Sequence, residues 1–283
     1  MDDRLSFFKD NGYVVVHDAL TATEIATGND GIDADRAIHP EHWQMGPRVG
    51  FDAVGCDAPG LLHRTLALDG MVYHPSIWSL VRSILGEGTL CSGLTFMFRF
   101  PCDADPPEDI DGGDPFCLSR QWHREDRGNV EGAQENAYFT SAIQAIYYLD
   151  DVDEGCHCTS IIPESAVMKR SLPKTTEGDV CITGTESAYV DPEKPTWMDS
   201  FGREGPRRIG RVDVHARAGS VLVFNNASLH CATIRKTARL RRALHVRYRQ
   251  PEPVRSRHAL KTPCESVADF QTALPDRPGM RRV

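Results

Sequence analysis

Three groups of side chains in this sequence could share one chemistry. The segment Gln121-Trp122-His123-Arg124-Glu125-Asp126 sets an imidazole and a carboxylate two residues apart. On an extended segment alternate side chains share a face, so His123 and Glu125 point the same way and Asp126 the other. Such a pair can grip one cation from one side. His230 follows the apolar run Val221 to Phe224 and the turn-like Asn225-Asn226-Ala227-Ser228. A second imidazole brought in from a distant strand completes two histidines and one carboxylate. That set occupies one face of an octahedral ferrous ion and leaves the opposite face open. Arg239, Arg241 and Arg242 form the third group. A guanidinium fork binds a carboxylate bidentately, and one lying just past the last metal ligand suits the far carboxylate of a metal-chelated 2-oxoglutarate. Spacing alone leaves the choice among the three arginines open.

Each group has a plainer reading by itself. Arg124 to Arg127 are all charged and could be a solvated surface cluster. A histidine beyond a strand is commonly structural, and some of the arginines must belong to a basic, solvated loop. Cys156-His157-Cys158 looks like a metal motif, yet zinc sites use a wider cysteine spacing with a second half elsewhere, and none is evident. His157 stands as a reserve ligand. His39, His42, His63, His74 and His258 fall in loops or at helix starts and carry no such pattern.

The elements that must position these groups follow from periodicity. Leu5, Phe7 and Phe8 lie on a short amphipathic turn ending at Asn11-Gly12, followed by the β-rich Tyr13-Val14-Val15-Val16. Thr21-Ala22-Thr23-Glu24 is a capping box that opens a helix. Residues 29–60 are rich in Gly, Asp, His and Pro and read as an irregular surface excursion that could cover a site. Pro75 to Leu85 has helical spacing, and Gly86 supplies its stop. From Leu90 onward strands and loops take over. Strands are expected at 94–100, 139–149, 211–215, 220–225 and 243–248, and an acidic, Pro- and Gly-rich loop at 101–115. Helices gathered early and many strands thereafter predict a mainly β protein, an antiparallel sandwich or barrel with helical support.

Bulk properties narrow the partners. The 283 residues are 40% hydrophobic and 25% charged, an ordinary globular balance. No repeat or low-complexity tract divides them, so a single domain over 1–283 is expected, with helical support to about 88, a core over 89–250 and a tail over 251–283. A net charge of −8 argues against nucleic acid or an anionic membrane as the main partner. No apolar run approaches the ~20 residues of a spanning helix, and the acidic start lacks the features of a signal peptide. Nine cysteines without C-x-x-C pairing fit unpaired thiols in a reducing compartment, so a cytoplasmic location is expected.

Taken together, the quoted segments resemble the phytanoyl-CoA dioxygenase family of iron- and 2-oxoglutarate-dependent oxygenases. The opening Phe7 to Val16 is similar to that family's first helix and strand, and Trp122-His123-Arg124-Glu125 to its histidine-x-acid segment. Gly155 through Ile161-Ile162-Pro163-Glu164-Ser165 resembles a further family segment, without the histidine that often follows it. Ala218 to Phe224, His230 and Arg241-Arg242-Ala243-Leu244 resemble the final ligand and cosubstrate segment. The resemblance implies a double-stranded β-helix (jelly-roll, cupin-like) core with Fe(II) on His123, Glu125 and His230. The family's anchoring arginine lies eleven residues past the second histidine, which selects Arg241 for 2-oxoglutarate. Gln144 and Thr159 are further candidates to hydrogen-bond the cosubstrate.

One departure stands out: the family's usual acid is Asp, and here it is Glu125, with Asp126 as the alternative. The implied activity is oxidation of an unactivated C–H (hydroxylation, desaturation or cyclisation) with O2, releasing succinate and carbon dioxide. The substrate expected is a small metabolite, an amino-acid-derived or other natural-product intermediate. The two candidate lids, 30–60 and 103–114, hold no basic cluster for the phosphates of a coenzyme A thioester. A homodimer is a possible assembly. Two rival readings are a metal-dependent cupin-like enzyme that does not use 2-oxoglutarate and a non-catalytic binding protein on the same fold.

Overall fold

The computed structural model describes residues 3–43, 61–99, 142–154, 156, 158–163, 165, 212–228, 230–232 and 239–250. Five helices and eight strands fall within them. In chain order they are α1 (Asp3–Asn11), β1 (Tyr13–Val16), α2 (Ala22–Ile38), α3 (Leu61–Arg64), α4 (Asp69–Val72), α5 (Pro75–Leu85), β2 (Leu90–Arg99), β3 (Ala142–Tyr148), β4 (Thr159–Ile161), β5 (Val212–Val214), β6 (Val221–Asn225), β7 (His230–Ala232) and β8 (Arg241–Arg249). A short 3-10 turn, Pro40–Trp43, follows α2. Among the described residues no helix is long and apolar enough to cross a membrane.

All strand pairings are antiparallel, in two sheets. The larger runs β1-β6-β3-β8-β2 and the smaller β5-β4-β7. Successive strands from β2 to β8 fill the larger sheet twice, the smaller twice, then alternate, as the chain winds through a double-stranded β-helix. Side-chain alternation divides the larger sheet into two faces. Ile143, Ala145, Tyr147, Val221, Val223, Leu244, Val246 and Tyr248 join one buried cluster with the helices. Ile146, Tyr148, Leu222, Phe224 and Ala243 join another with Cys158, Ile161 and Val214 of the smaller sheet. The second cluster is the jelly-roll interior, and any side chain sharing its parity points inward.

The helices back the outer face. The Thr21 hydroxyl accepts from the Glu24 amide at 3.3 Å while Glu24 Oε2 accepts from the Thr21 amide at 2.7 Å, so the capping box forms as expected. The same carboxylate meets His74 Nε2 at 2.9 Å, and His74 caps α5, so one acid ties two helix starts together. At the far end of α5, Gly86 sits at φ 88°, the left-handed conformation that suits glycine. Strand β8 is pinned to the helical layer by the Tyr248 hydroxyl, which donates to the Val72 carbonyl.

One expectation is corrected. Residues 29–38 are not part of an irregular excursion or lid but continue α2, a helix that contains Gly28 and Gly31. Gly28, Ile32 and Asp35 are buried at helical spacing. The glycines mark close packing instead of a break: a Cβ on Gly28 would stand 3.0 Å from Met71 Cε, and one on Gly31 would stand 2.4 Å from Ala67 Cβ. Asp35 receives the Arg64 guanidinium at 2.6 and 2.8 Å, a buried bidentate pair locking α3 to α2. Residues 44–60, and the acidic loop expected at 101–115, lie outside the described residues.

Two consequences can be measured. Gly31→Ala forces α2 away from the segment at Ala67, and overpacking should cost ~1–2 kcal/mol after the gain in helix propensity, seen as a lower midpoint in urea. The Thr21 amide and His74 hold the Glu24 carboxyl down to about 2. A lowered carboxyl pKa stabilises the fold above the ordinary carboxylate range and loses that contribution as pH falls toward 2. Melting curves between pH 6 and 3 should therefore show the wild type losing more stability than Glu24→Gln, modestly, because the carboxylate is partly exposed.

Candidate active site

Within the described interior, the site forms where β8 and β3 of the larger sheet face the paired β4 and β7 of the smaller. His230 opens β7, after the turn that follows β6, and its backbone pairs with Ile161. The ring is buried, 5% exposed, and its edge meets Phe224 with centroids 4.7 Å apart. Nδ1 lies 2.9 Å from the Ser228 carbonyl oxygen. A carbonyl can only accept, so Nδ1 carries the proton and Nε2 presents its lone pair. That tautomer, fixed by a backbone acceptor on the other nitrogen, is what a metal-binding histidine requires.

Arg241 opens β8 and shares the inward parity of Ala243. It is 4% exposed, with its guanidinium carbon 5.8 Å from the centroid of the Tyr148 ring. Burial pushes the Tyr148 phenol up to about 12, while the Arg241 charge and the neighbouring Thr159 hydroxyl pull it back. These neighbours are close without being aligned: Tyr148 Oη and Arg241 Nε both lie buried with no hydrogen-bond partner among the described residues. Thr159 of β4 is itself buried, 7% exposed. The Tyr148 phenol thus lies between a guanidinium and a threonine hydroxyl inside an apolar barrel, where a buried cation without a partner costs several kcal/mol. A carboxylate is the group this set would accept.

The other two arginines point elsewhere. Arg242 faces outward and forms a fork with Asp150, through Nε at 3.0 Å and Nη2 at 2.8 Å, and its Nη1 reaches Asp33 of α2 at 3.4 Å. Arg239 is half exposed and pairs with Asp153. Strand parity therefore separates Arg241 from Arg242, and exposure separates it from Arg239, which precedes β8, independently of any resemblance. Gln144 of β3 also faces inward, 3% exposed, but it bonds to β8 side chains and not to Arg241: Nε2 reaches His245 Nδ1 at 2.7 Å, and Oε1 accepts from Arg247 Nε at 3.3 Å.

His123, Glu125, the alternative Asp126 and the reserve His157 lie outside the described residues. Among the described residues no group of three His, Cys, Asp or Glu could hold a metal, so His230 is the one expected ligand in view. Cys156 and Cys158 are buried, and Cys158 packs in the interior cluster as an apolar residue would. Tyr148, His245 and Arg247 were not anticipated from the sequence. Their signal was available as period-2 alternation carried from Gln144 along β3 and from Arg241 along β8.

The family profile described as Phytanoyl-CoA dioxygenase (PhyH) matches residues 8–243. Among curated proteins none matches the sequence significantly. Solved structures with the same fold include the epimerase SnoN from nogalamycin biosynthesis in complex with Fe3+, alpha ketoglutarate and nogalamycin RO, at 19% identity and a TM-score of 0.53, covering 88% of this chain and 83% of that one. HygX from Streptomyces hygroscopicus, with nickel and 2-oxoglutarate bound, is similar at 13% identity and a TM-score of 0.52, over 89% and 88% of the two chains. The non-heme alpha ketoglutarate dependent carbocyclase SnoK from nogalamycin biosynthesis is similar at 17% identity and a TM-score of 0.50, over 100% and 94%.

Arg241 has a cost that can be read without any activity. Arg241→Met keeps the volume and removes the buried charge, so in ligand-free protein it should leave stability unchanged or raise it by ~1–2 kcal/mol in chemical denaturation. A loss of several kcal/mol would instead mark Arg241 as a structural residue.

Proposed function

The chain belongs to the phytanoyl-CoA dioxygenase (PhyH) family, and we propose that it is a non-haem Fe(II)- and 2-oxoglutarate-dependent oxygenase acting on a small natural-product intermediate. The observation that carries this reading is the buried Arg241, whose Nε lacks a hydrogen-bond partner among the described residues while its guanidinium lies beside Tyr148. A cupin-like enzyme without 2-oxoglutarate would have no use for that cation. Neighbours from nogalamycin biosynthesis support the substrate class.

In this reading His230 holds the metal through Nε2, together with His123 and Glu125. Iron(II) with bound 2-oxoglutarate supplies oxidation of a substrate C–H by O2, releasing succinate and carbon dioxide. The chain's own residues determine where that power is spent. The Ser228 carbonyl keeps the His230 ring in the ligating tautomer. Arg241 takes the distal carboxylate of 2-oxoglutarate, and Thr159 and Tyr148 donate hydroxyls to the same group. Ile146, Leu222 and Phe224 line the interior between the two ends and keep water away from the cosubstrate. Gln144, also proposed as a cosubstrate contact, is held from β8, its Nε2 on His245 Nδ1 and its Oε1 accepting from Arg247 Nε. Ligand identity does not separate hydroxylation, desaturation, ring closure or epimerisation.

Anaerobic titration of the protein with Fe(II) and 2-oxoglutarate tests this directly. A metal-to-ligand charge-transfer absorbance should appear in the wild type and vanish in His230→Ala or after chelation of the metal. Arg241→Ala should keep the band but weaken 2-oxoglutarate by about a hundredfold, the loss of one charge-assisted, desolvated fork. A wild type with no band, or an Arg241→Ala variant with unchanged affinity, would overturn the assignment.

A further inference from the structure

The turn between β6 and β7 carries two polar side chains that the iron and 2-oxoglutarate reading leaves without a role. Asn226 and Ser228 are 5% and 0% exposed. Asn226 Oδ1 and Ser228 Oγ both lie buried with no hydrogen-bond partner among the described residues. Such atoms are uncommon and cost stability, so a pair of them in one turn calls for a physical reason. The turn itself does not need them. Asn225 Oδ1 accepts from the Ala227 amide at 2.9 Å, and the Asn225 carbonyl accepts from the Ser228 amide at 2.8 Å. Asn225 thus holds the backbone of the turn, and the two polar side chains after it are spare.

Their place is beside the candidate metal ligand. The Asn226 amide donates to the Ala142 carbonyl at 3.1 Å, which carries the β3 pairing one step past Asn225 and Ile143. Asn226 therefore continues the alternation of Leu222 and Phe224, both in the interior cluster, and Phe224 is the ring that meets His230. Ser228 reaches the same histidine through its backbone, whose carbonyl receives Nδ1. Tyr148, which lies against Arg241, pairs at the other end of β6, where its amide donates to the Ser220 carbonyl. The turn is thus at the end of β6 away from the group assigned to the cosubstrate carboxylate.

A carboxamide oxygen only accepts, and a serine hydroxyl both donates and accepts. These two atoms offer a charged group no opposite charge in return for its lost water. A hydroxyl, which donates and accepts while staying neutral, suits both. We propose that the substrate is a polyhydroxylated molecule that presents hydroxyl groups to Asn226 and Ser228, beside His230. The proposal rests on the iron and 2-oxoglutarate reading above and names the substrate class of that site. It makes Asn226 and Ser228 binding residues.

The test uses full-length protein loaded anaerobically with Fe(II) and 2-oxoglutarate. The probes are a panel of cyclic polyols and methyl glycosides, each paired with its monodeoxy counterparts, and binding is read from the perturbation of the charge-transfer band. The wild type should bind at least one polyol about tenfold or more tighter than a deoxy counterpart. Asn226→Leu should bring that pair within about twofold of each other, whereas Asn226→Asp, which keeps an accepting oxygen, should retain part of the preference. The proposal is overturned if no pair discriminates in the wild type, the result expected if an internal water or another part of the chain satisfies both atoms. It is equally overturned if Asn226→Leu keeps the full preference, or if it removes the chelate band. A second measurement needs no ligand and covers the case in which Asn226→Leu fails to fold. Ser228→Ala keeps the carbonyl that faces His230 and removes only the spare hydroxyl, so the urea midpoint of the ligand-free protein should stay unchanged or rise. A lowered midpoint would mean that the hydroxyl already has a partner, and would overturn the proposal. Absence of the chelate band in the wild type overturns the underlying function, whereas a band with no polyol preference overturns only this assignment.

Discussion

The antiparallel pairing of β3 with β8 is the constraint on which the described site depends. Seven consecutive register pairs, from Ala142 with Arg249 to Tyr148 with Ala243, fix which side chains enter the interior. A slip of one residue would turn Arg241 out and bring Arg242 in, and would take Leu244, Val246 and Tyr248 out of the helical layer with them. The pairing is held from both sides. Val246 and Tyr248 are buried in the helical layer, and Ala243 lies under the smaller sheet. Polar chemistry is therefore confined to the positions that parity allows: Gln144 and Tyr148 on one strand, Arg241, His245 and Arg247 on the other.

The helical layer holds that sheet in place without contributing to the chemistry. Helix α2 can approach closely because Gly28 and Gly31 remove the side chains that would hold it off, and Leu149, just past β3, is among the atoms nearest Gly28. Asn29 of the same helix donates to the Leu149 carbonyl at 3.2 Å. The turn before β6 is equally tight. Gly219 adopts φ 87°, and a Cβ there would stand 2.9 Å from the Leu20 carbonyl oxygen. Leu20 in turn donates to the Gly219 carbonyl at 2.9 Å. These contacts fix where β6 begins, and hence where Phe224 meets His230.

How much of this could be read from residues alone varied with how local the cause was. The capping box at Thr21 and Glu24, the Pro75–Leu85 helix and the strands of 220–225 and 243–248 are set by nearby residues, and their patterns were plain. Strands β4 and β7, three residues each, are too short to carry a period and exist because each pairs with a neighbour distant in sequence. The run from Asn29 to Ile38 misled because glycine marks a loop on propensity but here marks close packing, and that depends on Met71, Leu68 and Ala67. Resemblance picked out Arg241 among three arginines; the physical reason, its inward parity beside Tyr148, became visible only once β8 had a register. The spacing of His123 and Glu125 rests on the sequence and the resemblance, since neither falls within the described residues.

Arg241 and Arg242 are chemically identical and adjacent, yet they answer to different selective pressures. The outward guanidinium fastens the strand to Asp150 and, through Asp33, to the second helix, so its loss is felt by every copy of the protein whether or not substrate is present. Its inward neighbour makes no ion pair among the described residues, and its guanidinium lies only against the Tyr148 ring. On the proposed role of Arg241, a lineage could abandon catalysis by changing the inward arginine alone and keep an intact barrel, a short route from enzyme to scaffold. The same asymmetry means that an arginine pair at this place in a related sequence says little about activity until it is known which member faces in.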